Sequence, residues 1–232
     1  VHPSVLPTLE KETLTEIFRL QKQINSGMIF ERRVLGPLLD SFQHTDLVDR
    51  YSFEVDSVQW FTMHRSLWNL LDQEIKYAFI IHFAEQFVDE ITIEASKFES
   101  LKDRYPHLAP YFNTFATDNG ANCIAAALAG VSGKNANTDW LISHWVFAET
   151  LLIAMKTNNY RKQSFNESDL QPGDVLLWKD NQDNVIHATY HMEDGYFFNK
   201  HGQMLFNPWQ VISIDNLYET WGKEGIELYR RK

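Results

Sequence analysis

Cysteine is almost absent from this sequence: Cys123 stands alone among 232 residues. That excludes an intramolecular disulfide and a thiolate zinc cluster, so stability must come from burial. Glycine and proline are also scarce, at 10 and 7, which rules out collagen-like and low-complexity chains. No stretch approaches the ~18 uncharged apolar residues of a membrane-spanning helix. Basic residues are in deficit, with 21 Lys and Arg against 31 Asp and Glu and a net charge of −10. Such a surface repels phosphate backbones and anionic lipid, so nucleic acid is not an expected partner. The opening Val1-His2-Pro3-Ser4 lacks the charged region and apolar run of a signal peptide. On that ground a cytoplasmic location is slightly favoured, with secretion left open by the option of a cleaved leader. In place of these features stand apolar residues, 44% of the chain, and aromatic ones, 14%. That is enough for a packed core, and disorder is excluded.

The first hundred residues read as helical. Leu9, Leu14, Ile17, Phe18, Leu20 and Ile24 recur at helical spacing between Thr8 and Ile24, with Gly27 as a stop. A second, shorter helix is expected around Glu31 to Phe42, a third from Asp56 through Leu71, and one long helix or two from Glu74 to Phe98; the absence of Gly and Pro between Pro37 and Pro106 supports a helical block. The two prolines of Tyr105-Pro106-His107-Leu108-Ala109-Pro110 mark a seam. The expected division is therefore a helical N-terminal region, 1–107, and a core, 108–232, packed as one unit. Beyond the seam, Gly120 to Gly130 reads as a short helix of small residues, opened by Asn122 or a neighbour as cap and closed by Gly130. Leu141 to Met155 reads as another helix. From Leu170 the period becomes strand-like, with Val175 to Trp178, Val185 to Met192 and Tyr196 to Lys200 separated by polar turns. Met204 to Phe206, Trp209 to Ile214 and Ile226 to Tyr229 are further strand candidates. The class is α+β, a Cys-bearing helix on an antiparallel meander behind a helical block.

Chemistry enters with Cys123. A thiol becomes a nucleophile as its thiolate, and the N-terminus of a helix lowers its pKa. The preceding polar run, Thr117 to Asn122, would hold the thiol near a cleft and offer backbone N–H groups to an oxyanion. Asn119 and Asn122 in that run, with Trp178, are the expected substrate-binding residues. The bland alternative is a small buried hydrophobe. Against it, His187 opens the central strand of the meander and Asn199 lies on the next strand. Across a hairpin turning at Asp194-Gly195 the two sit one diagonal step apart on one face. A nucleophile, a base and a group to orient the imidazole are then all available.

The order of Cys123 at a helix start, Pro172-Gly173-Asp174-Val175-Leu176-Leu177-Trp178, His187-Ala188-Thr189-Tyr190-His191 and Gly195-Tyr196-Phe197-Phe198-Asn199 resembles the NlpC-type cysteine peptidases and their papain-like relatives, including CHAP amidases and the lecithin retinol acyltransferase group. The resemblance spans about Phe112 to Phe206. It implies a papain-like core with Cys123 as nucleophile, His187 as base and Asn199 as orienting residue. It also implies an amide or peptide substrate, of the bacterial cell-wall type in the NlpC branch, and no cofactor. Two departures stand out: Asn122-Cys123-Ile124 replaces Asp-Cys-Ser, and the third residue is Asn where the family usually has His.

Three functions follow as expectations: a thiol hydrolase of amides or peptides, an acyl- or aminoacyl-transferase built on the same site, and a non-catalytic interaction module with a merely buried Cys123. The N-terminal block would roof the cleft, bind a partner or form a homodimer face. Trp60, Trp68 and Phe83 are expected to cover the Cys123 helix. No metal site is expected, since His187 and His191 are ~13 Å apart along a strand, too far to share an ion.

Overall fold

The computed structural model describes residues 4–24, 26–34, 38 and 45–232. The chain divides into two compact units, Val1–Glu85 and Gln86–Lys232. That division falls well before the Pro106 seam, and the reason is packing: Leu101 and Leu108 are fully buried in the same core as the Cys123 helix. Among the described residues no helix is long and apolar enough to cross a membrane.

The first unit contains α1 (Lys11–Gln23), β1 (Ile29–Glu31), α2 (Thr45–Arg50), β2 (Ser52–Val55), β3 (Val58–Thr62), α3 (Arg65–Trp68) and α4 (Gln73–Glu85). It is not the all-helical block expected. A three-stranded antiparallel sheet, ordered β1-β3-β2, occupies its centre, and the helix expected from Asp56 to Leu71 is replaced by β3 and α3. The hairpin between β2 and β3 turns on Asp56 and Ser57, both at positive φ (52° and 63°). Asp tolerates that region without a glycine, so the scarcity of Gly concealed a turn. The helix expected from Glu31 to Phe42 falls largely outside the described residues. Trp60, Trp68 and Phe83 pack on this unit's own core, around Phe61, Leu67 and Phe79.

The second unit is built on a six-stranded antiparallel sheet in the order β4-β9-β5-β6-β7-β8. Its elements are α5 (Ala95–Arg104), α6 (Cys123–Ser132), α7 (Thr138–Ser143), α8 (Ala148–Thr157), β4 (Tyr160–Gln163), β5 (Val175–Lys179), β6 (Val185–Glu193), β7 (Tyr196–Lys200), β8 (Trp209–Ser213), α9 (Ile214–Trp221) and β9 (Ile226–Arg231). Strands β5 to β8 form the expected meander. β4 and α9 lie outside the expected elements, Met204 to Phe206 is not a strand, the helix expected over Leu141 to Met155 is two helices, and of the options over Glu74 to Phe98 the structure has two helices, α4 and the start of α5.

Alternation along the strands sends Val175, Leu177, Ala188, Tyr190, Met192, Phe198 and Val211 into the core around α6. Leu176, Trp178, Phe197 and Ile212 face the opposite side, where Ile214 and Leu217 of α9 cover them. Helix α6 is buried along nearly its whole length. Within this unit its cover comes from Leu101, Leu108, Phe112, Ile142 and Leu151.

Gly130 does not end α6; the helix runs on to Ser132, and Gly133 at φ 65° caps it. Gly130 instead lets the helix lie against Tyr190, whose Cγ would stand 2.3 Å from an added Cβ. Gly130→Ala should therefore destabilise the protein by about 2 kcal/mol, overpacking outweighing the ~1 kcal/mol that alanine gains in helix propensity. The check is the urea unfolding midpoint, which must fall.

Candidate active site

Helix α6 begins at Cys123 because Asn122 caps it. The Asn122 Oδ1 accepts from Ala125 N at 3.0 Å and Val146 N at 3.3 Å, while Nδ2 donates to Val146 O at 2.8 Å. Both ends of the amide are thus committed to the fold, and Asn122 is not the substrate-binding residue expected. Trp178 is not one either: it is fully buried, and its Nε1 donates to Gly222 O at 2.9 Å. Asn119 is exposed, with Oδ1 accepting from Leu205 N at 2.8 Å, which ties its loop to the segment after β7.

His187 and Asn199 are brought together. The strand register pairs Tyr190 with Phe198 and Trp178 with His187, so His187 and Asn199 share the face opposite α6. His187 Nε2 lies 2.8 Å from Asn199 Oδ1. The amide oxygen can only accept, so the imidazole carries its proton on Nε2 and presents a bare lone pair at Nδ1. That Nδ1, fully buried, has no hydrogen-bond partner. The ring is clamped by three neighbours. Trp221 of α9 stacks on it at 4.2 Å between centroids and 11° between planes, Trp178 lies at 5.6 Å and His201 at 6.0 Å. His201 is fixed in turn, with Nε2 at 2.8 Å from Asp89 Oδ2 and Nδ1 accepting from Trp221 Nε1 at 3.1 Å.

The Cys123 sulfur reaches β6 one residue further on. The backbone N–H groups of Ala188 and, at the start of α6, of Ile124 and Cys123 favour its anionic form. Ala188 N–H is open to it because the β6–β7 register starts only at Tyr190↔Phe198. No hydrogen bond joins the sulfur to His187 Nδ1.

Electrostatically the site rests neutral, contrary to the expectation of an activated thiolate. Burial pushes the Cys123 thiol up, more than the three N–H groups and the charge of Lys200 pull it down. Burial likewise lowers His187 to about 3, with a smaller push from His201 and opposition from the Asn199 hydrogen bond. The sign for stability follows. The unfolded chain protonates this histidine near 6.5 and the folded one near 3, so stability is lost as pH falls through that window. Between pH 7 and pH 5 the loss from this one group is about 2 kcal/mol. His191 and His107, also lowered by burial, act in the same direction. The readout is therefore a difference: His187→Gln should lose less stability than the wild type between those two pH values.

Lys200 was missed by the sequence reading. It sits at the end of β7, fully buried, and donates through Nζ to the carbonyls of Met204 (2.9 Å) and Asn207. His191 is held by Gln171 O and Gly195 N. No group of three or more metal-ligating side chains occurs among the described residues.

No protein-family model matches the chain, and no curated protein matches it. Among solved structures it is similar to a protein of Staphylococcus aureus described as similar to a lipoprotein of the NLP/P60 family, at 11% identity and a TM-score of 0.31. The likeness covers 94% of this chain, which spans 61% of that protein's length. At that TM-score it assigns neither family nor activity.

Proposed function

We propose that the protein is a cysteine-dependent acyl-transfer enzyme, a hydrolase of an amide or peptide bond, with Cys123 as nucleophile, His187 as base and Asn199 as the residue that orients the imidazole. The observation that carries the reading is the His187 Nε2 to Asn199 Oδ1 hydrogen bond, which leaves a buried, unpartnered Nδ1 on the residue before Ala188, whose N–H favours the Cys123 thiolate. His187 rests on the sheet face opposite α6, so in this reading the start of β6 turns to bring Nδ1 to the thiol; resting sites are commonly looser than reacting ones. His187 accepts the thiol proton as sulfur attacks the carbonyl. The N–H groups of Cys123 and Ile124 receive the oxyanion. The C–N bond then breaks, the leaving amine takes the proton from His187, and the acyl group remains as a thioester. Water activated by the same nitrogen completes hydrolysis; an amine in its place completes transfer. A cell-wall stem peptide is the substrate class that the sequence resemblance implies.

The test is the burst from p-nitrophenyl acetate, a generic acyl donor. One p-nitrophenol per protein, followed by slower turnover, is the expected result, and added glycinamide separates hydrolysis from transfer by the product formed. A trace without a burst at any pH between 6 and 9 overturns the reading.

A further inference from the structure

The site leaves one charge unexplained. Lys200 is fully buried, yet its hydrogen-bond partners are two neutral carbonyls, and among the described residues no carboxylate pairs with it. A buried ammonium is costly unless an anion compensates it. An ammonium has three donors, and two are used here. The register places Lys200 opposite Trp209 on β8, whose ring centroid lies 5.6 Å from Nζ. Trp209 belongs to the same core as Cys123, and Lys200 shares the parity of Phe198, which faces α6. Lys200 and the sulfur are thus on one side of the sheet, whereas His187 and Asn199 are on the other.

The groups around the ammonium can be named element by element. On its own strand and loop are Asn199, His201 and the two carbonyls; on β8 is Trp209; on α6 is Cys123. His201 is turned to Asp89 and Trp221. Cys123 is the group on α6 that can become an anion.

We propose that Lys200 is a positioning residue of the active site proposed above, the cation that faces the Cys123 sulfur and stabilises its anionic form. His187, at rest on the far side of the sheet and buried among aromatic rings with only a neutral amide as partner, is poorly placed to supply a lasting counter-charge. Lys200 supplies it. Burial raises the thiol and lowers the ammonium to about 8, and each group opposes the shift in the other: the lysine charge draws the thiol down and the sulfur holds the ammonium up.

The test is the pH dependence of Cys123 alkylation by iodoacetamide in Lys200→Met and Lys200→Arg, alongside the thermal unfolding of each. In Lys200→Met the alkylation rate at pH 8 should fall about tenfold and the thiol midpoint should rise by about one unit. Lys200→Arg, which keeps the charge, should stay within about threefold of wild type. A folded Lys200→Met with the wild-type profile overturns the proposal, as does a folded Lys200→Arg that loses as much as Lys200→Met. If Lys200→Met does not fold, the Lys200 side-chain titration followed by 13C NMR in Cys123→Ala decides. Its midpoint should lie below that of the wild type, and an unchanged midpoint overturns the proposal. These readings concern the thiol and not turnover, so their failure is distinct from a missing burst.

Discussion

Cys123→Ala should abolish the p-nitrophenyl acetate burst and lower steady-state turnover by at least about a thousandfold, because no second thiol exists in the chain to replace it. The substitution trades one small buried side chain for another at the first position of α6, a helix made mostly of small residues. Asn122, which starts the helix, is untouched, so the unfolding midpoint should stay within about 1 kcal/mol of wild type. A variant that unfolds normally and still turns over would remove Cys123 from the chemistry.

The second large effect concerns Asp174 and is structural. In the turn before β5, Asp174 is almost fully buried and receives Arg230 as a fork, Nε at 2.8 Å on Oδ1 and one terminal nitrogen at 2.7 Å on Oδ2. The same carboxylate accepts from Gln171 N at 2.8 Å, and Gly173, at φ 94°, completes the turn. It therefore joins the start of β5 to β9, its sheet neighbour. Asp174→Ala removes one partner of a largely buried pair and leaves the guanidinium and an amide unmatched. The expected loss is about 3 kcal/mol, or roughly 10 °C in Tm for a unit of this size, read by calorimetry. A loss below ~1 kcal/mol would mean that the pair is not what fixes this turn.

The Pro-Gly-Asp sequence that marked the resemblance thus has a mechanical reason at its Asp, quite apart from catalysis. The same holds for Asn122, for which the sequence suggests both a helix cap and a substrate contact and whose amide atoms are both engaged in the fold. Side chains of this kind carry polar groups suited to either task, and sequence spacing does not say which backbone groups lack partners.

Legibility followed locality. The diagonal between His187 and Asn199 was readable because a two-residue Asp-Gly turn fixes the register of its hairpin. The start of α6 was readable because a cap and a run of small residues lie side by side. What escaped depends on contacts distant in sequence. Asp89 and His201 are 112 residues apart in sequence, and Trp221 on α9 joins His201 in framing the His187 ring. The burial that neutralises the Cys123 thiol outweighs the helix N-terminus, and no local pattern reports it. In the first unit, alternation in β2 and β3 was overlooked because Asp56 and Ser57 make the turn that glycine usually makes.

The most direct measurement is the location of the acyl group. The protein is quenched in acid during the p-nitrophenyl acetate burst, digested and mapped by mass spectrometry before and after neutral hydroxylamine. The expected result is a single acetyl group on the peptide holding Cys123, removed by hydroxylamine as a thioester must be, and absent in His187→Ala quenched at the same time. A hydroxylamine-stable acetyl group on Lys200, or equal thioester in wild type and His187→Ala, would contradict a Cys123–His187 active site.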